Sequence, residues 1–168
     1  MIRLLLVLGC LLFFGLCVLG MWRGWGHRAR RQDGLGGHAE EPAAFGAPLL
    51  APMTGLYVGT THADRWQDRV VARGLGLRAA MTATLTEQGL RIERSGAGTI
   101  FVAAPDLVDV GVGAGLAGKV TGAGGLLVVR WRDTAGTELD TGLRGDDKGV
   151  YPDWIAAVDH LTDHGVPR

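Results

Sequence analysis

The chain has 168 residues with 17 basic and 17 acidic side chains, so its formal net charge is zero. That balance excludes the strongly cationic surface on which nucleic-acid binding rests, and it excludes an acidic tail. Hydrophobic residues make up 47% and charged residues 20%, a composition that folds, while 28 glycines exceed average usage and point to many tight turns.

The first predicted element runs from Leu4 to Trp22, nineteen residues without a charge. As a helix rising about 1.5 Å per residue it reaches about 28 Å, enough to span a bilayer core. Gly9, Gly15 and Gly20 do not argue against it, because lipid forces the backbone to satisfy its own hydrogen bonds. Gly9 and Gly15 are six apart, which misses the four-residue spacing of a close-packed helix pair. A cleaved secretory signal would carry a shorter apolar core and a small-residue cleavage site, whereas this run ends in Met21-Trp22-Arg23-Gly24-Trp25. A lipoprotein signal at Val7-Leu8-Gly9-Cys10 has too little apolar chain ahead of its cysteine. Arg3 lies on one side of the span and Arg23, Arg28, Arg30 and Arg31 on the other, so the positive-inside bias places the C-terminal flank in the cytoplasm. A single-pass protein of the cytoplasmic membrane is expected, with residues 1–23 as its anchor. Cys10 and Cys17 both fall in the span, which leaves the rest of the chain without disulfides or thiolate metal sites, in keeping with a reducing compartment.

Residues 24–50 mix Arg, Gly, Ala, Glu and Pro without periodicity and read as a flexible juxtamembrane linker. A mainly-β domain is expected over 51–168, where 12 basic and 14 acidic residues leave a net charge near −2. Its apolar residues come in short runs broken by turn residues, the signature of strands. Seven are predicted: Gly55–Thr61, Leu77–Thr84, Leu90–Arg94, Thr99–Ala103, Leu107–Val112, Leu126–Arg132 and Glu138–Leu143, with Leu116–Thr121 as a short eighth. Alternation in Leu90-Arg91-Ile92-Glu93 and Val128-Val129-Arg130-Trp131-Arg132 gives these strands one dry face and one wet one. Tyr151, Trp154, Ile155, Val158 and Leu161 then recur at three- and four-residue steps, which predicts an amphipathic helix ending near Gly165-Val166-Pro167. A small barrel or bent sheet of about seven strands, closed by a C-terminal helix, follows.

The sequence also resembles a known family on several stretches. These are Gly55-Leu56-Tyr57-Val58-Gly59-Thr60-Thr61, Trp66-Gln67-Asp68-Arg69-Val70, Gly74-Leu75-Gly76-Leu77-Arg78, Ala117-Gly118-Lys119-Val120 and Leu139-Asp140-Thr141-Gly142-Leu143-Arg144-Gly145-Asp146-Asp147 ahead of Tyr151 and Trp154. On them it is similar to short actinobacterial membrane proteins with one span and a pleckstrin-homology-like (PH-like) domain. The resemblance covers the anchor and most of residues 53–155. It implies a seven-stranded bent sheet closed by a C-terminal helix, and little chemistry.

The motifs that would support an enzyme fail on spacing. In Gly111-x-Gly113-x-Gly115 the third glycine arrives one residue early for a dinucleotide loop, and Gly118-Lys119 is followed by Val120 rather than Ser or Thr. His160 and His164 share a helix face at i, i+4, but only Asp163 lies near them, so a metal site is not expected. Asp140, Asp146 and Asp147 form an acidic cluster that helix N-capping explains better than cation binding. The constellation left is Arg65, Trp66, Arg69, Arg73 and Arg78 in the connection after the first strand. At the open end of a bent sheet these side chains can meet phosphate, a lipid head group or an acidic peptide; paired with Asp64 and Asp68, and with Trp66 buried, they are structural instead.

No cofactor, metal or catalytic residue is expected. The favoured expectation is a non-enzymatic protein-interaction or scaffold module at the inner face of the cytoplasmic membrane, docking its partner by strand addition or through the open end. The alternative is an accessory to an export, transport or envelope system that binds an anionic lipid or ligand through Arg65–Arg78.

Overall fold

Alternation over Leu90–Arg94 and Val128–Arg132 demands a sheet with one buried face, and the computed structural model builds one. It describes residues 7, 9–21, 34–63, 65, 67–113, 115, 116, 119, 120 and 125–164. The chain divides into two units, Met1–Gly34 and Leu35–Arg168. In the first, residues 9–21 form helix α1, and among the described residues no helix is long and apolar enough to cross a membrane. Leu4, Leu5, Leu6, Leu8 and Trp22 of the expected span, with the flanking arginines, lie outside the described residues.

The second unit contains β1 (Met53–His62), β2 (Ala79–Thr86), β3 (Gly89–Arg94), β4 (Gly98–Ala103), β5 (Leu107–Gly113), β6 (Gly115–Leu116), β7 (Lys119–Val120), β8 (Leu126–Arg132), β9 (Glu138–Gly145) and helix α2 (Tyr151–His164). Seven strands form one antiparallel sheet in the order β4-β3-β2-β1-β9-β8-β5, and β6 and β7 form a second, two-stranded sheet. The strand count and the C-terminal helix agree with the sequence reading. The second strand starts two residues later than expected, at Ala79, where Tyr57 of β1 supplies its first partner. The predicted eighth strand is a hairpin of two two-residue strands.

The inward faces of both halves of the sheet supply Leu85, Leu90, Ile92, Ile100, Leu127, Val129, Trp131, Leu139 and Leu143, and α2 lays Tyr151, Trp154 and Val158 onto them. Burial of each such side chain contributes about 1.5–3 kcal/mol. On the opposite face Leu116 joins Val58 and Leu126 in a small second cluster. It sits over Gly142, where a Cβ would come within 2.8 Å of Leu116 Cδ2. β1 carries a bulge between Tyr57 and Gly59 against β9. An extra residue there resets the alternation, so Tyr57 and Thr60 are both buried and their hydroxyls meet at 2.7 Å.

Residues 35–50 differ from the flexible linker read over 24–50. Leu35 is 6% exposed and belongs to the main core. The Gly37 N–H donates to Thr134 Oγ1 and the Thr134 N–H donates back to the Gly37 carbonyl. Further on, Glu41 pairs with Arg91 at 3.1 Å, the Gly46 N–H donates to Gln88 Oε1, and the Leu49 N–H donates to the Leu85 carbonyl. Phe45 stands edge-on to Phe101 at 6.0 Å with the Arg91 guanidinium 5.5 Å from its ring centre. The segment is a strap. Its anchoring residues are isolated rather than periodic, so a periodicity reading passes over them. Phe45→Ala removes one aromatic pair and one cation–π contact, and urea titration should show a loss of about 1–2 kcal/mol.

Candidate functional site

The connection between β1 and β2, residues 63–78, carries the arginines singled out from sequence. It folds back on β1: the Val70 N–H donates to the Thr60 carbonyl, and the Thr60 N–H to the Leu75 carbonyl. Val70 and Leu75 are thereby buried in the core. Arg69 turns inward, donating to the carbonyls of Gly76 at 2.9 Å and Val58 at 3.3 Å. Arg73 sits in the left-handed backbone region at φ 52° and donates from Nε to the Leu35 carbonyl, holding the start of the strap. Arg65 is 75% exposed and reaches Asp68 at 4.0 Å, and Arg78 is exposed. Trp66 and Asp64 lie outside the described residues. Of the five candidates, then, Arg69 is half-buried and donates to backbone carbonyls, Arg73 donates to one from an exposed position, and Arg65 and Arg78 are exposed. Of the internal pairing foreseen with Asp64 and Asp68, the described residues include the exposed Arg65–Asp68 contact, and Asp64 lies outside them.

A further arginine, not singled out from sequence, closes the same end of the sheet. Arg94 is 6% exposed and donates to the carbonyls of Gly74, Ala97 and Gly98 at 2.7, 2.7 and 3.1 Å. Its guanidinium lies 4.8 Å from the centre of the Tyr57 ring. Behind it runs a chain of hydrogen bonds with one direction. The Tyr57 hydroxyl donates to the Leu75 carbonyl at 2.7 Å, so it must accept from Thr60; Thr60 then accepts from Thr141, and Thr141 accepts from Trp131 Nε1 at 2.9 Å. Every hydroxyl in this chain gives one hydrogen bond and takes one, which removes the penalty of burying it. Burial is the main reason the Tyr57 hydroxyl is pushed up to about 12.

Three guanidinium groups thus bind carbonyls at this end, and Leu35 enters the core beside them. Arg94 and Arg69 turn their guanidinium groups inward, whereas Arg73 makes its one carbonyl contact from an exposed position.

The acidic cluster disperses. Asp140 forms a two-pronged pair with Arg130 across β8 and β9, at 2.8 and 3.0 Å. Asp146 accepts from Thr54 Oγ1, and Asp147 accepts from the Gly149 N–H in a turn before α2. None of these is the helix N-cap expected from the sequence. Among the described residues no group of three or more His, Cys, Asp or Glu could hold a metal; the His164 side chain and residues 117 and 118 lie outside them.

A groove of about 520 Å³ with a largely apolar lining lies between α2 and the sheet. Val112 forms one wall, and Tyr151, Pro152, Ile155 and Ala156 form the other, with Lys148 and Asp159 also lining it. Among the described residues β5 is the end strand of the sheet, so along its outer edge alternate N–H and C=O groups have no strand partner among them. Val112 is 50% exposed there, at a position two residues from the buried Val110 and so on the same, core-facing side of β5. Sequence reasoning could identify β5 as a strand but not as an end strand, because strand order leaves no mark on Leu107–Gly113.

Comparison with known proteins places this arrangement. The model of a family described as bacterial PH domain-like matches residues 35–159, a span that takes in the strap as well as the sheet. Among solved structures, a chain of "The 8S snRNP Assembly Intermediate" aligns with a TM-score of 0.51 at 12% identity, covering 79% of this chain and 92% of that one. At that identity the likeness is one of fold. A search of curated proteins returns no match. The sheet order, the closing helix and the matched span agree, and the chain belongs to the bacterial PH domain-like family.

Proposed function

We propose that this protein is a non-enzymatic interaction module, tethered by its N-terminal helix at the inner face of the cytoplasmic membrane, that docks an extended segment of a partner protein. PH-like domains are in general binding modules for proteins or lipid head groups. The observation that carries the protein reading is the open edge of β5 beside the apolar groove under α2. An added strand satisfies the edge amides, and its alternate side chains fall between Val112 and Ile155. The lipid alternative, through Arg65–Arg78, is weakened by the inward commitment of Arg69, while Arg65, Arg73 and Arg78 keep exposed side chains.

Support for the tether comes from α1. Leu11, Leu12, Phe13 and Phe14 are consecutive and therefore point to all sides of the helix, and each is 63–70% exposed. A helix apolar all round needs an apolar surrounding, and lipid supplies it. The charge of Arg23, Arg28, Arg30 and Arg31 then favours a cytoplasmic domain.

A photo-crosslinker placed at Val112 should trap one protein partner from membranes, and one placed at Arg78 should not. Ala156→Trp, which fills the groove from an exposed position, should abolish the Val112 crosslink in a folded protein. Trapping of lipid at Arg78, with no protein at Val112, would replace this reading by the head-group one.

A further inference from the structure

The groove is polar in the sense of having two unlike ends. Lys148 stands where α2 begins, beside Val112 near the end of β5, and Asp159 lines the groove two turns along the helix. Asp163 follows four residues later, one turn further on the same helical face, and is exposed. This placement works against the helix itself. Acidic groups near a helix C-terminus oppose the macrodipole, and like charges at i, i+4 repel, so each arrangement costs α2 a few tenths of a kcal/mol. An external cation would offset both costs.

Direction follows from the sheet. Every strand pair in it is antiparallel, and a strand added to β5 in that sense starts near Gly113 and Lys148 and runs toward Asp159. Resting on the strand-docking reading above, we infer that the partner segment is extended, with alternating apolar residues first and basic residues following them, so that its Lys or Arg side chains meet Asp159 and Asp163. The open edge supplies affinity without sequence preference, Val112 and Ile155 set the apolar positions, and the two carboxylates set the polarity of the bound chain.

The test uses the full chain in detergent micelles and two short fluorescent peptides of identical composition. In one, a valine–threonine alternation is followed by a pair of lysines; in the other the lysines come first. Fluorescence anisotropy at low salt should show the first binding roughly three- to tenfold tighter, the scale of two exposed ion pairs. High salt should erase that preference while leaving binding itself. The double variant Asp159→Lys, Asp163→Lys should reverse the order of the peptides, and it should fold, since cations suit a helix C-terminus. Equal binding of both peptides, lost in Ala156→Trp, would overturn the inferred polarity and leave strand docking standing. Binding of neither peptide by the folded protein would overturn both.

Discussion

Trp154→Ala should destabilise the domain by about 3–5 kcal/mol, the range for deleting a large aromatic side chain from a packed core. Trp154 is 1% exposed and stands in the main core between Tyr151 and Val158 on the one face by which α2 attaches. Since single domains are stable by about 5–15 kcal/mol, the change removes a large share of the total without necessarily unfolding the protein. Melting followed by circular dichroism should show Tm falling by roughly 10–20 °C, taking a few degrees per kcal/mol for a domain of this size. Ala156→Trp is the contrasting case. Ala156 is exposed on the other side of the same helix, so filling the groove from there should leave Tm within a degree or two, consistent with a surface substitution worth under about 0.5 kcal/mol. The pair separates what holds the groove together from what lines it. If Trp154→Ala melted like the wild type, α2 would not be the closing element of the core, and the docking groove built on it would lose its wall.

That helix was the most legible part of the chain, because Tyr151, Trp154, Ile155, Val158 and Leu161 repeat with a period that only a helix can place on one face. The strands were legible for the same reason, and Leu126–Arg132 has the same bounds in sequence and structure. Side-chain direction in an irregular segment carries no such signal. Arg69, Arg73 and Arg78 look alike in the sequence, yet Arg69 is half-buried on two carbonyls, Arg73 reaches one carbonyl from an exposed position, and Arg78 is exposed; the difference comes from how the connection after β1 folds back on it. Arg94 was read only as the last residue of a strand; alternation places it on the dry face with Leu90 and Ile92, and the turn carbonyls of Ala97 and Gly98 and the carbonyl of Gly74, which no local pattern announces, give its guanidinium a buried seat there. Leu35 and Phe45 were lost among the glycines and prolines of an apparent linker. The groove was out of reach for a topological reason: whether Val112 faces a neighbouring strand or open solvent depends on β5 being last in the order, which is set by pairings across the whole domain.

Alkaline unfolding should single out Tyr57. In the folded protein its hydroxyl is pushed up to about 12, chiefly by burial and against the pull of Thr60, Arg94 and Arg69, whereas an unfolded tyrosine titrates near 10. The folded state therefore holds this proton more tightly than the unfolded state does. Stability from it is complete below pH 10 and is lost as pH rises from about 10 to about 12, a total of about 2–3 kcal/mol for a shift of two units. The structural reason is that ionisation removes the donor on which the hydrogen-bonded chain from Trp131 ends, leaving the Leu75 carbonyl facing an anion. Tyr57→Phe should lower stability at neutral pH and lose less of what remains at high pH. At neutral pH it leaves the buried Thr60 hydroxyl without its acceptor, while the Leu75 carbonyl keeps the Thr60 N–H, and it should cost about 1–3 kcal/mol. Above pH 10 it has no proton to lose, so its stability should fall less steeply than that of the wild type, and the two curves should approach one another by about pH 12. The difference between urea denaturation curves across that range reads Tyr57 together with Arg94, whose guanidinium lies over the ring and whose charged form the tyrosine favours. A constant gap from pH 7 to pH 12 would mean that Tyr57 ionises as easily in the folded domain as in water, and that the latch at this end of the sheet is looser than the 2.7 Å contacts of its hydroxyl require.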